Sequence, residues 1–152
     1  MRTLIAALLL AAAPALADPI ERPGWKVIPT DIAYKELIDR VKAATKANKF
    51  GVVTQAGPTG AAKKRGITIP GNRVIGVFNN VFAVRMLEAS ESAMIEAPVR
   101  MYVTEQPDGT ATLSYKTPTL VFTPYKDESP EVMKIAAELD EAFAKIAAEA
   151  TQ

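Results

Sequence analysis

The clearest alternation of apolar and polar positions runs from Pro98 to Thr117. Val99, Met101 and Val103 fall on one side of an extended chain, as do Ala111, Leu113 and Tyr115. Arg100, Tyr102 and Thr104 fall on the other side, with Thr110, Thr112 and Ser114. Strand side chains alternate with period two, so both runs read as strands that share one core face. Between them lies Pro107-Asp108-Gly109. Pro fixes φ, Asp can bond its own backbone and Gly accepts positive φ, which together make a hairpin turn. A three-residue loop with Gly109 left-handed pairs Gln106 with Thr110, Val103 with Leu113 and Met101 with Tyr115. Each larger apolar side chain is worth about 1.5 to 3 kcal/mol when fully buried. A slip of one residue would put the whole set in water.

The other elements follow from the same patterns. Trp25 and Val27 alternate with Lys26 and Ile28, a short strand at or near an edge because Pro29 cannot donate to a ladder. Thr30 and Asp31 supply a helix start. Leu37, Ile38, Val41 and Ala44 then recur at helical spacing, and Asn48 is placed to end that helix in a left-handed cap. Phe50 to Thr54 resumes as a strand. Gly57-Pro58-Thr59-Gly60 breaks it, and Ala61 to Arg65 makes a helical turn or two that Gly66 closes. The near-continuous apolar run from Arg73 to Phe78 is a buried central strand. Asn79-Asn80 caps a second helix carrying Val81, Phe82, Val84, Met86 and Leu87, and a short helical piece spans Glu91 to Glu96. Leu120-Val121-Phe122 reads as extended. Ser129-Pro130-Glu131 is an N-cap, a first-turn Pro and a dipole-complementing carboxylate. The last helix follows, with Met133, Ile135, Ala136, Leu139, Phe143 and Ile146 on one stripe. Interleaved elements and an obligatory hairpin predict an α+β fold: a single antiparallel or mixed sheet of about four to five strands covered by two to three helices.

The N-terminus changes this picture. Met1-Arg2, an apolar run from Leu4 to Ala13 and then Ala15-Leu16-Ala17 have the three parts of a secretory signal, with cleavage after Ala17. The run is shorter than the roughly 20 residues a bilayer span needs, so no transmembrane anchor is expected, and the absence of Cys excludes acylation of a lipoprotein. The expected organisation is a cleaved signal over 1–17, a flexible lead-in over 18–24 and a single domain over 25–150. Localisation is then periplasmic or secreted. The 152 residues hold 18 Lys+Arg against 17 Asp+Glu, a formal charge of +1 that loses one unit with Arg2. No basic excess exists to meet a polyanion, and nucleic-acid binding is not expected.

With no Cys and no His, thiol chemistry, disulfide exchange, the usual zinc and copper ligand and the usual general base are all missing. No cofactor and no metal are expected. Ala62 precedes Lys63 and Lys64 follows it, so the Gly57 to Lys64 stretch lacks the second Gly and the hydroxyl of a phosphate loop. Met86, Met94 and Met101 are spaced as core packing rather than as a soft metal site. Glu88, Glu91 and Glu96 read as a solvated face. Two candidates remain. Asn79 and Asn80, between a buried strand and a helix, could bind an anion or a carbonyl, against the plainer role of capping. Arg100 and Tyr102 project from the non-core face of the hairpin and suit a partner surface.

Several strings resemble the family called domain of unknown function 302. They are Ala61-Ala62-Lys63-Lys64-Arg65-Gly66-Ile67-Thr68-Ile69-Pro70, then Val74 to Asn80, then Ala97-Pro98-Val99-Arg100-Met101-Tyr102-Val103, and Asp108-Gly109 to Tyr115 followed by Pro118. The resemblance runs from about Lys35 to the end of the last helix. Members usually carry Gly-Asn-Pro after the central strand, of which this chain keeps Asn79. They usually carry Leu-Pro before the hairpin, where Ala97-Pro98 stands here, and many place a His where Gln55-Ala56 stands. The resemblance implies a compact α+β domain that pairs as a dimer, without an established activity. The expectation is therefore an exported small binding or accessory domain of the cell envelope. It leans away from catalysis, acting as a homodimer or with an envelope protein partner. The alternative is a small-molecule carrier, or an enzyme independent of His and Cys, with a pocket near Asn79 and Asn80.

Overall fold

A computed structural model describes residues 20–152. The expected signal over 1–17 and the first residues of the lead-in lie outside the described residues. Five strands, β1 (Trp25–Ala33), β2 (Gly51–Ala56), β3 (Asn72–Phe78), β4 (Val99–Glu105) and β5 (Thr110–Lys116), pair antiparallel in the order β1-β5-β4-β3-β2. Between and after them come α1 (Tyr34–Ala47), α2 (Thr59–Lys64), α3 (Asn80–Ala89), a 3-10 turn at Ser92–Glu96, α4 (Pro118–Phe122) and α5 (Pro130–Thr151). The architecture is α+β with one open antiparallel sheet.

The hairpin of β4 and β5 holds the register that its turn dictates. Gln106 N–H donates to Thr110 O at 2.8 Å, Val103 lies opposite Leu113 and Met101 opposite Tyr115. Gly109 takes φ +85°, the left-handed conformation that glycine adopts without steric cost. Asp108 accepts from the Thr110 N–H at 3.0 Å and from its hydroxyl at 2.6 Å, which holds the Asp108 carboxyl below its ordinary range. Val103 and Leu113 are wholly buried. Their face meets α1 through Leu37 and Val41, and α5 through Val132, Ile135, Leu139, Phe143 and Ile146. The Tyr115 and Phe143 rings sit 5.8 Å apart and tilted, and Phe50 stacks on Phe82 of α3 at 5.7 Å. Burial lifts the Tyr115 phenol above its usual value, aided by the charge of Asp140. The Ser129 hydroxyl accepts from Glu131 N–H, as its sequence signature requires.

Three local expectations are corrected. β1 continues to Ala33 instead of yielding to a helix at Thr30-Asp31. The Thr30 hydroxyl is engaged across the ladder, donating to Ala111 O at 2.6 Å while it accepts from Ile32 N–H, so it cannot cap α1. Within β1 it is Ile28, opposite Leu113, that faces the helices, while Trp25 and Val27 lie on the other side. Asn48 keeps φ −86° because its amide is tied to Ala44 O and to Glu149, and the left-handed residue is Lys49 at φ +65°. Leu120-Val121-Phe122 is helical within α4. Thr117 caps it, Pro118 opens it, and the Asp140 carboxylate receives both the N–H and the hydroxyl of Thr119.

Candidate functional site

Asn79 and Asn80 do not share a task. The Asn79 side-chain oxygen accepts from Val81 N–H at 2.9 Å and from Phe82 N–H at 3.3 Å, while its amide nitrogen donates to Lys49 O at 3.0 Å. Both ends of that amide are spent on holding the start of α3 against the turn that precedes β2. Asn80, the first residue of α3, is exposed beside it. Phe78, Asn79 and Phe82 border a crevice of about 30 Å³, too small for a ligand.

Arg100 and Tyr102 are placed differently. The register of the ladders arranges the helix-free face of the sheet in rows, because paired residues point the same way. One row runs Ala56, Val74, Tyr102, Ser114, Val27. The row beside it runs Thr54, Gly76, Arg100, then Lys116 and Trp25, with Arg100 facing Lys116 when the hairpin register is continued by one step. Gly76 is required there: a Cβ would come within 2.1 Å of the Thr54 hydroxyl and 2.8 Å of the Pro98 ring. A third row holds Asn72, Thr104, Thr112 and Pro29.

A cleft of about 480 Å³ opens over the first two rows. Its walls include Trp25, Val74, Tyr102 and Val121, with Arg100 and Lys116 at one side and Ser114 in the floor. The Ser114 side chain is fully buried and its hydroxyl has no hydrogen-bond partner. A second cleft of about 490 Å³ adjoins it and shares Trp25, Asn72 and Tyr102. Thr104, whose buried hydroxyl is likewise without a partner, lines that second cleft. Trp25 carries two cations against its ring, Arg22 at 5.5 Å and Lys116 at 5.4 Å from the centroid, an attraction of the ring quadrupole for positive charge. Glu96 also borders the first cleft and accepts the Tyr125 O–H at 3.0 Å. That hydrogen bond, then burial and the negative charges of Glu96 and Glu128, hold the Tyr125 phenol above its ordinary value.

The remaining sequence candidates are structural. Met86 and Met101 are core residues, and Met94 packs against the core. Among the described residues no cluster of three or more His, Cys, Asp or Glu is placed to hold a metal ion, and no helix is long and apolar enough to cross a membrane. Lys63, Lys64 and Arg65 are exposed at the end of α2. The sequence pattern does not mark Ser114, Lys116 or Trp25 as site residues. For Ser114 the signal was present, since hairpin parity already set it beside Tyr102 on the non-core face. Trp25 had no such signal, because nothing in the chain tells β1 to pair with β5 or which way its alternation faces.

The model of the family described as "Domain of unknown function DUF302" matches residues 26–150. Among solved structures, the crystal structure of an uncharacterized conserved protein DUF302 from Bacillus stearothermophilus is similar in fold. The likeness covers 85% of this chain and 98% of that one, with a TM-score of 0.72 and 20% identity. No curated protein matches the chain.

The capping role of Asn79 has a measurable cost. Asn79→Ala is expected to lower the free energy of unfolding in urea by about 1 kcal/mol. Asn80→Ala, at an exposed position, is expected to stay within about 0.5 kcal/mol of the parent. Equal stability of the two variants would refute the cap.

Proposed function

The chain belongs to the DUF302 family, whose model spans residues 26–150, and we propose that it is an exported domain of the cell envelope that binds a small molecule on the helix-free face of its sheet, without catalysis. One observation carries this reading: a concave, mainly apolar cleft of about 480 Å³ has in its floor a buried Ser114 hydroxyl with no protein partner. Ligand sites have this size and composition, with a few convergent polar groups in an apolar wall. Leaving a buried hydroxyl unpaired costs about 1 to 3 kcal/mol, a penalty that a bound polar group would relieve. The binding site in this reading is the Arg100 and Tyr102 face; Asn79, whose amide is already engaged, has no part in it.

Export rests on the sequence from Met1 to Ala17. Binding without catalysis rests on a sequence free of His and Cys, so that no thiol or imidazole can serve as nucleophile or base. A homodimer is the second reading, favoured by the exposed Val81, Val84 and Leu87 of α3 and by Ile95, which is 81% exposed. Exposed large apolar side chains suit a protein interface where they adjoin one another.

Three measurements test these statements. A thermal-shift screen of small metabolites should give compounds that raise the Tm of the parent, by about 5 to 10 °C at a hundredfold excess over Kd, and not that of Tyr102→Ala. Silence across the set, or equal shifts in both proteins, would remove the cleft as the binding site. The intact mass of the exported protein should correspond to a chain beginning at Asp18, and retention of Met1 would overturn export. Sedimentation should give twice the chain mass for a dimer, reduced to one by Val84→Glu; a monomer at high concentration would discard that reading.

A further inference from the structure

Resting on the reading of the helix-free face as a small-molecule site, we infer that the cleft takes a monocarboxylate with an apolar body, its carboxylate held by Arg100, Lys116 and the Ser114 hydroxyl. Three independent features converge on that chemistry. The first is a pair of like charges. Arg100 and Lys116 both line the cleft and face each other when the hairpin register is continued one step past Met101 and Tyr115, and like charges directly opposite on a sheet are destabilising when nothing lies between them. Among the described residues the Arg100 side chain makes no hydrogen bond and no ion pair, and the Lys116 ammonium lies over the Trp25 ring. The cleft thus sets two cations against one carboxylate, Glu96, which already receives the Tyr125 O–H. An anion between Arg100 and Lys116 converts their repulsion into two attractions.

The second feature is the Ser114 hydroxyl. Its oxygen is buried beneath the cleft wall without a partner, two residues from Lys116 along β5, and a ligand reaches it when the side chains over it shift. A hydroxyl donates to a carboxylate oxygen in a short charge-assisted bond, and a guanidinium matches the planar two-oxygen geometry with a parallel pair. The third feature is the rest of the wall. Val74, Tyr102, Val121 and the Trp25 indole offer apolar surface for a body of several carbons. Such a wall disfavours a bare inorganic dianion, which would lose hydration against hydrocarbon and gain no contact there.

Other sites carried less. The exposed apolar side of α3 has no bound group or complementary charge to identify what would cover it, and the second cleft holds the unpaired Thr104 hydroxyl without a cation opposite another.

The test is calorimetric titration of the full chain with 4-phenylbutyrate, its primary amide, and inorganic phosphate. The expected result is binding of 4-phenylbutyrate, at least tenfold weaker binding of the amide, and weakening of the carboxylate with added salt. Arg100→Gln should raise Kd for the carboxylate at least tenfold and bring it level with the amide. Ser114→Ala should raise Kd severalfold while leaving the urea midpoint unchanged or higher, an outcome that a purely structural serine would not give. If the amide binds as tightly as the carboxylate and both are lost in Tyr102→Ala, the cleft is a ligand site but the carboxylate inference is wrong. Tighter binding of phosphate than of 4-phenylbutyrate likewise overturns the inference in favour of an inorganic anion. Binding of none of the three overturns it too. If the metabolite screen also finds no compound sensitive to Tyr102→Ala, the small-molecule reading falls with it.

Discussion

The fold depends on the one-sided burial of the β4–β5 hairpin. The turn at Pro107-Asp108-Gly109 sets which residues stand opposite one another, and the alternation then sends Met101, Val103, Ala111 and Leu113 to one face, where all four are wholly buried. Several side chains, each worth about 1.5 to 3 kcal/mol, move together if the register moves, so the pairing cannot drift. α1 and α5 are recruited by that face and are amphipathic to match it. Internal position in the sheet follows too, since β4 and β5 are flanked by β3 and β1.

The same register decides the opposite face. Once the apolar set is committed to the helices, Arg100, Tyr102, Ser114 and Lys116 must project the other way, on a side that no long helix covers. Gly76 lets Thr54 and Pro98 close over one part of that side, while Trp25 of the edge strand rises at the other. The cleft lies between them. Its walls are furnished by β1 to β5 with the segments at Gly57-Pro58, Glu96 and Val121.

Two local rules are broken in this cleft: Arg100 and Lys116 are like charges that face each other when the hairpin register is continued one step past Met101 and Tyr115, and a buried hydroxyl goes without a partner. Many other polar groups of the chain are satisfied. Asn79 uses both ends of its amide, Ser129 and Thr117 cap their helices, and Glu128 is held below its ordinary pKa by hydrogen bonds from Ser90 and Ser92. In natural sequences that are otherwise locally consistent, departures concentrate where stability is exchanged for function. Further buried unpaired atoms, the Thr104 hydroxyl of the adjoining cleft and Arg73 Nε, lie on the neighbouring strand positions.

The elements legible in advance were those whose cause is local. The turn, the parity of the hairpin, the Ser129 cap and the stripe of α5 each depend on residues a few positions apart. The stripe predicts Ile135, Ala136, Leu139, Phe143 and Ile146 in the core and all are buried, though Val132 is buried in place of Met133, which is half-buried. The misassigned elements are those in which a distant partner outcompeted a local signal: Thr30 bonded to Ala111 rather than to α1, Asn48 to Glu149, and Leu120-Val121-Phe122 coiled against α5. Arg100 and Tyr102 were legible as a face, but not as a cleft. By itself, then, the sequence determined the hairpin register, the α+β class and which polar side chains leave the core, because those follow from period-two alternation and turn chemistry. Only the tertiary structure decided that β1 pairs with β5 and brings Trp25 to Lys116, and that Ser114 is closed off without a partner, because concavity and burial are made by segments whose meeting no local pattern encodes.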